Sequence, residues 1–288
     1  MDILVQILLN AVIAGAIYTL IALGFTLMYS TAKFFDLGYG ALIAVGGYAT
    51  YWSYKQIDLP VWLAIGIGVA TAGLLAFLVE RFIYRKLRER KASGTILLIA
   101  SLGVLTIIQA VIAIIFSSQF QTLSKNIGST RTFNIAGGVI TDVQALIFIS
   151  GLVIMTGVGI VLSRTLFGKA VRAVADDSTV ASIVGINSPR ILGIVAAVGG
   201  AIGGLSGIAV GFDTGIEPLM GMSLLLKGVI AAIIGGIGSI YGAVLGAFLL
   251  ALIENLGAWQ FAGEWKDAIA FAVLIAFLLF RPKGILSK

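Results

Sequence analysis

The 288-residue sequence contains no histidine and no cysteine, and only 11% of it is charged. Without histidine there is no imidazole to serve as a general base or a metal ligand. Without cysteine there are no disulfides and no thiolate sites, although this leaves the compartment open. Convergent carboxylates are also scarce, which argues against a membrane-embedded enzyme. Gly168-Lys169 lacks the upstream glycine of a phosphate-binding loop, so the chain is not expected to bind and hydrolyse ATP by itself. A soluble domain carries roughly 25% charged residues. With 59% hydrophobic residues and a mean hydropathy of +1.10, this chain cannot cover itself in water. Its natural solvent is lipid.

What is abundant is apolar length and glycine. About 20 predominantly apolar residues make a span. On that criterion the spans are Ile3 to Met28, Leu37 to Tyr54, Val61 to Tyr84, Ile96 to Phe116, Val143 to Leu162, Ile191 to Phe212 and Ala268 to Phe280. Leu224 to Leu256 is too long for one crossing and is broken at Gly235, Gly236 and Gly238, which makes two short crossings or a re-entrant pair. The fold expected is an all-α polytopic bundle of eight or nine segments, forming a single transmembrane domain over 1–288. The first span has no basic leader region, so it reads as retained rather than cleaved. Gly199, Gly203, Gly207 and Gly211 recur every fourth residue, as do Gly238, Gly242 and Gly246. Such faces let helix backbones approach closely; a flexible, pore-facing hinge is the alternative.

The net charge is +6, but the charges gather at span ends instead of forming one polar face, so nucleic acid is not an expected partner. Fourteen of the 19 basic residues fall on one side. They are Lys33, the cluster Arg81, Arg85, Lys86, Arg88, Arg90 and Lys91, the group Arg164, Lys169, Arg172 and Arg190, and Arg281, Lys283 and Lys288. Lys55, Lys125, Arg131, Lys227 and Lys266 fall on the other. The excess of positive charge predicts an external N-terminus and a cytoplasmic C-terminus.

Polar groups at membrane depth mark paths or pairs. Asp36, Gln109, Glu254 and Asn255 stand out, with Asn10 beside them; together with Gly235, Gly236 and Gly238 they are candidates for the translocation path or for packing. Glu254 next to Asn255 is the best of these. Lys227 is expected to snorkel to the interface, and Glu80 to pair with the basic cluster.

The loop 164–190 interrupts the apolar chain. Val171, Val174 and Ala175 lie on one side of a first short helix, away from Lys169 and Arg172. Asp176 and Asp177 stand where an N-cap is wanted for a second segment, Ser178 to Val184. Val180, Ile183 and Val184 form its apolar side, and Gly185 can end it. Such a pair either lies on the membrane surface or docks a soluble partner.

The loop reads GxAxRAxAxDxxxAxxxGI through Gly168, Ala170, Arg172, Ala173, Ala175, Asp177, Ala181, Gly185 and Ile186. A second pattern, GGxGSIxGAxLG, runs from Gly235 to Gly246, the first span holds AGAIYTLIALGFTLMYS, and the chain ends on LLFRPKGIL. In these motifs the sequence resembles LivH-type permease subunits of branched-chain amino acid ABC transporters, along nearly its whole length. It departs at Asp36, Tyr39 and Tyr241, where the family usually has Asn, His and Pro. The resemblance implies that the loop couples the bundle to a cytoplasmic ATPase through Gly168, Val171, Arg172, Val174, Asp176, Asp177, Val180, Ile183 and Gly185, with apolar side chains such as Val171 and Val174 buried in the ATPase groove and Arg172 and Asp177 setting orientation. It also implies a second permease subunit (LivM-like or a like copy), two cytoplasmic ATPase subunits and an extracytoplasmic solute-binding protein. ATP and magnesium would then be bound by partner chains, with no cofactor in this one. A urea or amide importer and a passive small-solute channel are the alternative readings.

Overall fold

The computed structural model describes residues 3–124, 131–281 and 283–286. Lys125, Pro282 and Lys288, which figure in the charge pattern and the terminal motif, lie outside these. Twelve α-helices are present among the described residues: α1 (Ile3–Ala32), α2 (Gly38–Tyr51), α3 (Val61–Val79), α4 (Arg85–Glu89), α5 (Gly94–Phe116), α6 (Asp142–Arg164), α7 (Leu166–Asp176), α8 (Ser178–Ile183), α9 (Ser188–Asp213), α10 (Met220–Gly235), α11 (Ile240–Phe261) and α12 (Lys266–Phe280). A π-helical turn, Glu80–Tyr84, fuses α3 and α4 into one rod, and a second, Trp52–Gln56, prolongs α2. Among the described residues six helices are long and apolar enough to cross a membrane, with α10 a shorter apolar seventh. Helices α2 and α12 are shorter still, with 14 and 15 residues. By length alone, then, the expected eight or nine crossings are not reached.

The all-α expectation also misses one element. A two-stranded antiparallel hairpin, β1 (Thr132–Ile135) with β2 (Gly138–Thr141), fills the link between α5 and α6. It leads directly into a capping box: Thr141 Oγ1 accepts from the Gln144 amide, and Gln144 Oε1 accepts from the Thr141 amide, both at 3.1 Å. Each bond satisfies an orphan donor at the start of α6. The Gln144 amide nitrogen then donates to Asp213 at 3.0 Å, tying the start of α6 to the end of α9.

Helix α1 lies at the centre, against α6, α9, α10 and α11, and α9 is sandwiched against α2 and α3. The glycine faces explain why these helices can lie so close. A Cβ on Gly203 would meet the Tyr39 ring, and one on Gly207 would meet the Ile43 carbonyl. Gly242 faces the Gly235 carbonyl and Gly246 the Ala231 carbonyl, so α10 and α11 touch backbone to backbone. Those positions are packing glycines. Gly238 departs from the pattern: its φ is +93°, nothing lies within 4 Å of its Cβ position, and it serves the turn. Gly236, with φ +105°, ends α10. The turn is closed by the C-terminal segment, whose Ile285 and Leu286 amides donate to the Ile234 and Gly235 carbonyls at 2.9 and 3.0 Å. These bonds satisfy carbonyls that a helix end leaves free.

Candidate functional site

The two ends of the bundle differ. At one end Tyr29, Lys33, Arg172, Asp176, Gly238 and Leu286 line a cleft of about 670 Å³ between the end of α1, α7 and the α10–α11 turn. Two of the basic residues assigned to one side, Lys33 and Arg172, line it. At the other end a cleft of about 480 Å³ is lined by Asn10, Tyr18, Gln144, Asp213, Lys227, Asn255 and Lys266. Helix α1 contributes to both, and residues Thr19 to Met28 between them are buried.

Beneath the second cleft lies a charged cluster. Tyr18 donates to Glu254 Oε2 at 2.6 Å. Lys227 Nζ donates to Tyr18 Oη at 3.4 Å and stands 3.7 Å from Glu254 Oε2 and 3.0 Å from Asp267. The Glu254 side chain is 0% exposed, and its Oε1 has no partner among the described residues. A carboxylate in so dry a place must be paired. The Lys227 ammonium is not free at the interface: it lies between the buried Glu254 and the exposed Asp267, which spacing along one helix does not reveal. Asn255 faces the cleft, with its amide nitrogen on the Ala251 carbonyl.

The other polar candidates are dispersed. Asp36 is buried near the opposite end, accepting from the Gly38 amide at 2.9 Å and from the Tyr84 hydroxyl at 2.7 Å. Tyr39 donates to the Ile21 carbonyl. These two departures from the motif thus clasp the start of α2 and line neither large cleft. Glu80 pairs with Arg88, as expected. The Gln109 amide nitrogen is buried without a partner among the described residues. Gly235 and Gly236 belong to the α10–α11 turn.

In the loop 164–190 the caps fall where the residue types require. Asp177 accepts from the Thr179 and Val180 amides at 2.7 and 3.0 Å. These bonds, the one to Val180 foremost, hold its carboxyl below the ordinary carboxylate range. The Gly185 amide bonds to the Ser182 carbonyl and the Ile186 amide to the Ala181 carbonyl, with Gly185 at φ +89°. This is a Schellman termination. Asp176 ends α7 and faces the cleft. Gly168 lies against the Val161 and Leu162 carbonyls, leaving no room for a side chain, and Arg172 donates to the Leu162 carbonyl.

One expectation is reversed. Val171 and Val174 are 3% and 1% exposed, with α7 packed against α1, α6 and α9. They are spent on this chain and cannot enter a partner's groove. The apolar surface left open is Val180, Ile183 and Val184, with Leu166 nearby, and Ile183 is 79% exposed.

A bundle of apolar helices with a water-accessible cleft at each end, and an unpaired amphipathic element at one of them, has the build of a transport subunit. Comparison with known proteins carries the assignment further. Residues 7–278 match the family described as branched-chain amino acid transport system, permease component, and the chain belongs to that family. It is 31% identical to the high-affinity branched-chain amino acid transport system permease protein BraD of Pseudomonas aeruginosa, over 98% of this chain and 95% of that one. It is 30% identical to LivH of Escherichia coli with the same coverage. In fold it is similar to PsaBC from Streptococcus pneumoniae in complex with Fab, at a TM-score of 0.55 and 14% identity, covering 98% of this chain and 93% of that chain. The protein is thus a multi-pass inner-membrane permease subunit of an ABC importer. It is not an enzyme: ATP hydrolysis belongs to partner ATPase subunits, and a solute-binding protein completes such systems.

Proposed function

We propose that the protein carries branched-chain or other small neutral amino acids inward, in a complex with a second permease subunit of the LivM type, two cytoplasmic ATPases and a solute-binding protein. The observation that carries this reading is the family match over residues 7–278. ATP and magnesium reside in the ATPases, and this chain holds no cofactor.

In this reading the end bearing Lys33, Arg172 and the α10–α11 turn is cytoplasmic, and the N-terminus is external. Helices α2, α10 and α12 cross with the six longer ones, giving nine passes. The loop 164–190 is the coupling element of a single permease domain. Its ATPase contact is made by Val180, Ile183 and Val184, while Gly168, Val171, Arg172 and Val174 fasten it to the bundle. Asp177 and Gly185 fix the ends of α8, and Asp176 faces the cleft. Closure of the ATPase pair pushes α8, and the push reaches α1 and α9 through the buried face of α7. The external cleft, with Lys227, Lys266 and Asp213 at its walls, then opens or closes against the cytoplasmic one. Substrate passes along α1, whose buried stretch between the clefts is the barrier.

Reconstituted complex supplied with labelled leucine, isoleucine, valine, alanine and urea tests this. ATP-dependent uptake of the neutral amino acids, with urea excluded, is the expected result. Uptake of urea alone, or uptake that needs no ATPase, refutes it.

A further inference from the structure

A third cavity, of about 460 Å³, lies between the α3–α4 rod and the start of α9. Its walls include the guanidinium-bearing residues Arg81, Arg85 and Arg190 and one carboxylate, Glu80, which is paired with Arg88, and its floor Phe77, Gly193 and Ile194. We propose that it binds the headgroup of an anionic phospholipid, with the phosphate held among the three arginines and the acyl chains leaving past Phe77.

Charge balance favours an anion. The carboxylates nearby are already committed, Glu80 to Arg88 and Glu89 to Arg85 Nε at 2.8 Å. Arg81 and Arg190 have no ion pair among the described residues; Arg81 lies 6.0 Å from the Phe77 ring centre. Three arginines line one space, and planar guanidinium groups match phosphate oxygens. The first turn of α9, a 26-residue helix, adds a favourable dipole end at the same place.

Depth and surroundings favour a lipid over a free anion. Arg81 is 20 residues beyond Val61, hence about 30 Å along the rod, the thickness of a bilayer core. It therefore stands at headgroup level. The floor is apolar, and the rod beside it turns Leu74, Leu78 and Phe82 outward, as a lipid-facing helix must. A cavity that is basic at headgroup depth and apolar below it has the two-part character of a phospholipid, as in basic pockets between transmembrane helices that take anionic lipid heads.

Native mass spectrometry of the full-length chain, titrated with phosphatidylglycerol or with phosphatidylcholine of identical chains, is the test. Phosphatidylglycerol adducts should exceed phosphatidylcholine adducts by about tenfold. The double variant R81Q/R190Q should lose that preference, R81K/R190K should retain part of it, and R90Q, which removes a basic residue outside the cavity, should retain all of it. Millimolar inorganic phosphate should not displace the lipid. Equal binding of the two lipids by the unaltered protein overturns the proposal, whatever the variants do. Displacement by inorganic phosphate assigns the cavity to a free anion, and an equal loss in R90Q reduces it to diffuse surface charge; each overturns the lipid site.

Discussion

Replacing Lys227 by methionine tests the charged cluster most directly. Two carboxylates face the ammonium, and they do not count equally. Asp267 is closer, at 3.0 Å, but its side chain is 63% exposed, so that contact contributes about 0–1 kcal/mol. Glu254 is farther, at 3.7 Å, but is wholly buried, and stranding a buried charge costs about 3–5 kcal/mol. K227M should therefore destabilise the permease by roughly 3 kcal/mol or more. Glu254→Gln keeps an acceptor for the Tyr18 hydroxyl and leaves Lys227 its exposed partner, so its cost should be about 1–2 kcal/mol. The double variant K227M/E254Q removes both charges and should recover to within about 1–2 kcal/mol of the unaltered protein, because a buried pair replaced as a pair is often near neutral. Denaturation in detergent followed by tryptophan fluorescence, on all four proteins, measures the cycle. Additive single costs, or a K227M cost below about 1 kcal/mol, would show that the two charges do not sense one another.

Ile183→Asp, alone or with V180D, should abolish ATPase association and uptake while leaving membrane insertion and permease stability unchanged; co-purification and uptake check this, and normal transport by the double variant refutes docking through α8. Val174→Asp should instead lower the yield of folded permease even without the ATPase, since it buries an unpaired charge in this chain's own core; unchanged thermal stability would contradict this. The Asp177 carboxyl is held below its ordinary value, so its stabilisation is fully present above the ordinary carboxylate value, near pH ~4, and fades as pH falls through the depressed one. The protection factors of the Thr179 and Val180 amides, which remove the intrinsic pH dependence of exchange, should accordingly hold at neutral pH and fall only in strong acid, and D177N should abolish that fall; loss of protection already near pH 6 would refute the cap. Gly242→Ala should cost about 1–3 kcal/mol by driving α11 off the Gly235 carbonyl, whereas Gly103→Ala, where nothing lies within 4 Å, should be neutral or slightly stabilising; thermal stability compares them.

Much of this architecture is legible in the sequence because lipid makes simple demands. Apolar length locates the nine longer helices, the amphipathic pattern of the loop locates α7 and α8, only the short α4 escapes, and the glycine break at 235–238 separates α10 from α11. Asp177 and Gly185 announce the ends of α8 because capping is local chemistry. What escapes is whatever depends on which face meets which neighbour. The amphipathic pattern of α7 shows that Val171 and Val174 share a side, but not that α1 and α9 already occupy it. Lys227 looks like an interfacial lysine until Glu254, on another helix, is brought opposite. Tyr18, central to the cluster, carries no signal beyond being a tyrosine in an apolar run. The β1–β2 hairpin escapes for a different reason: its strands are four residues each, too short for an alternating pattern to stand out.

The backbone seam between Ile285–Leu286 and the end of α10 gives experimenters a fixed vantage point. A spectroscopic reporter attached at Leu286 would ride with the α10–α11 hairpin instead of swinging on a loose tail. Its distance to a second reporter on Ser178, an exposed residue of α8 outside the apolar contact, would then record, stroke by stroke, how far the cytoplasmic lever travels relative to the wall it moves.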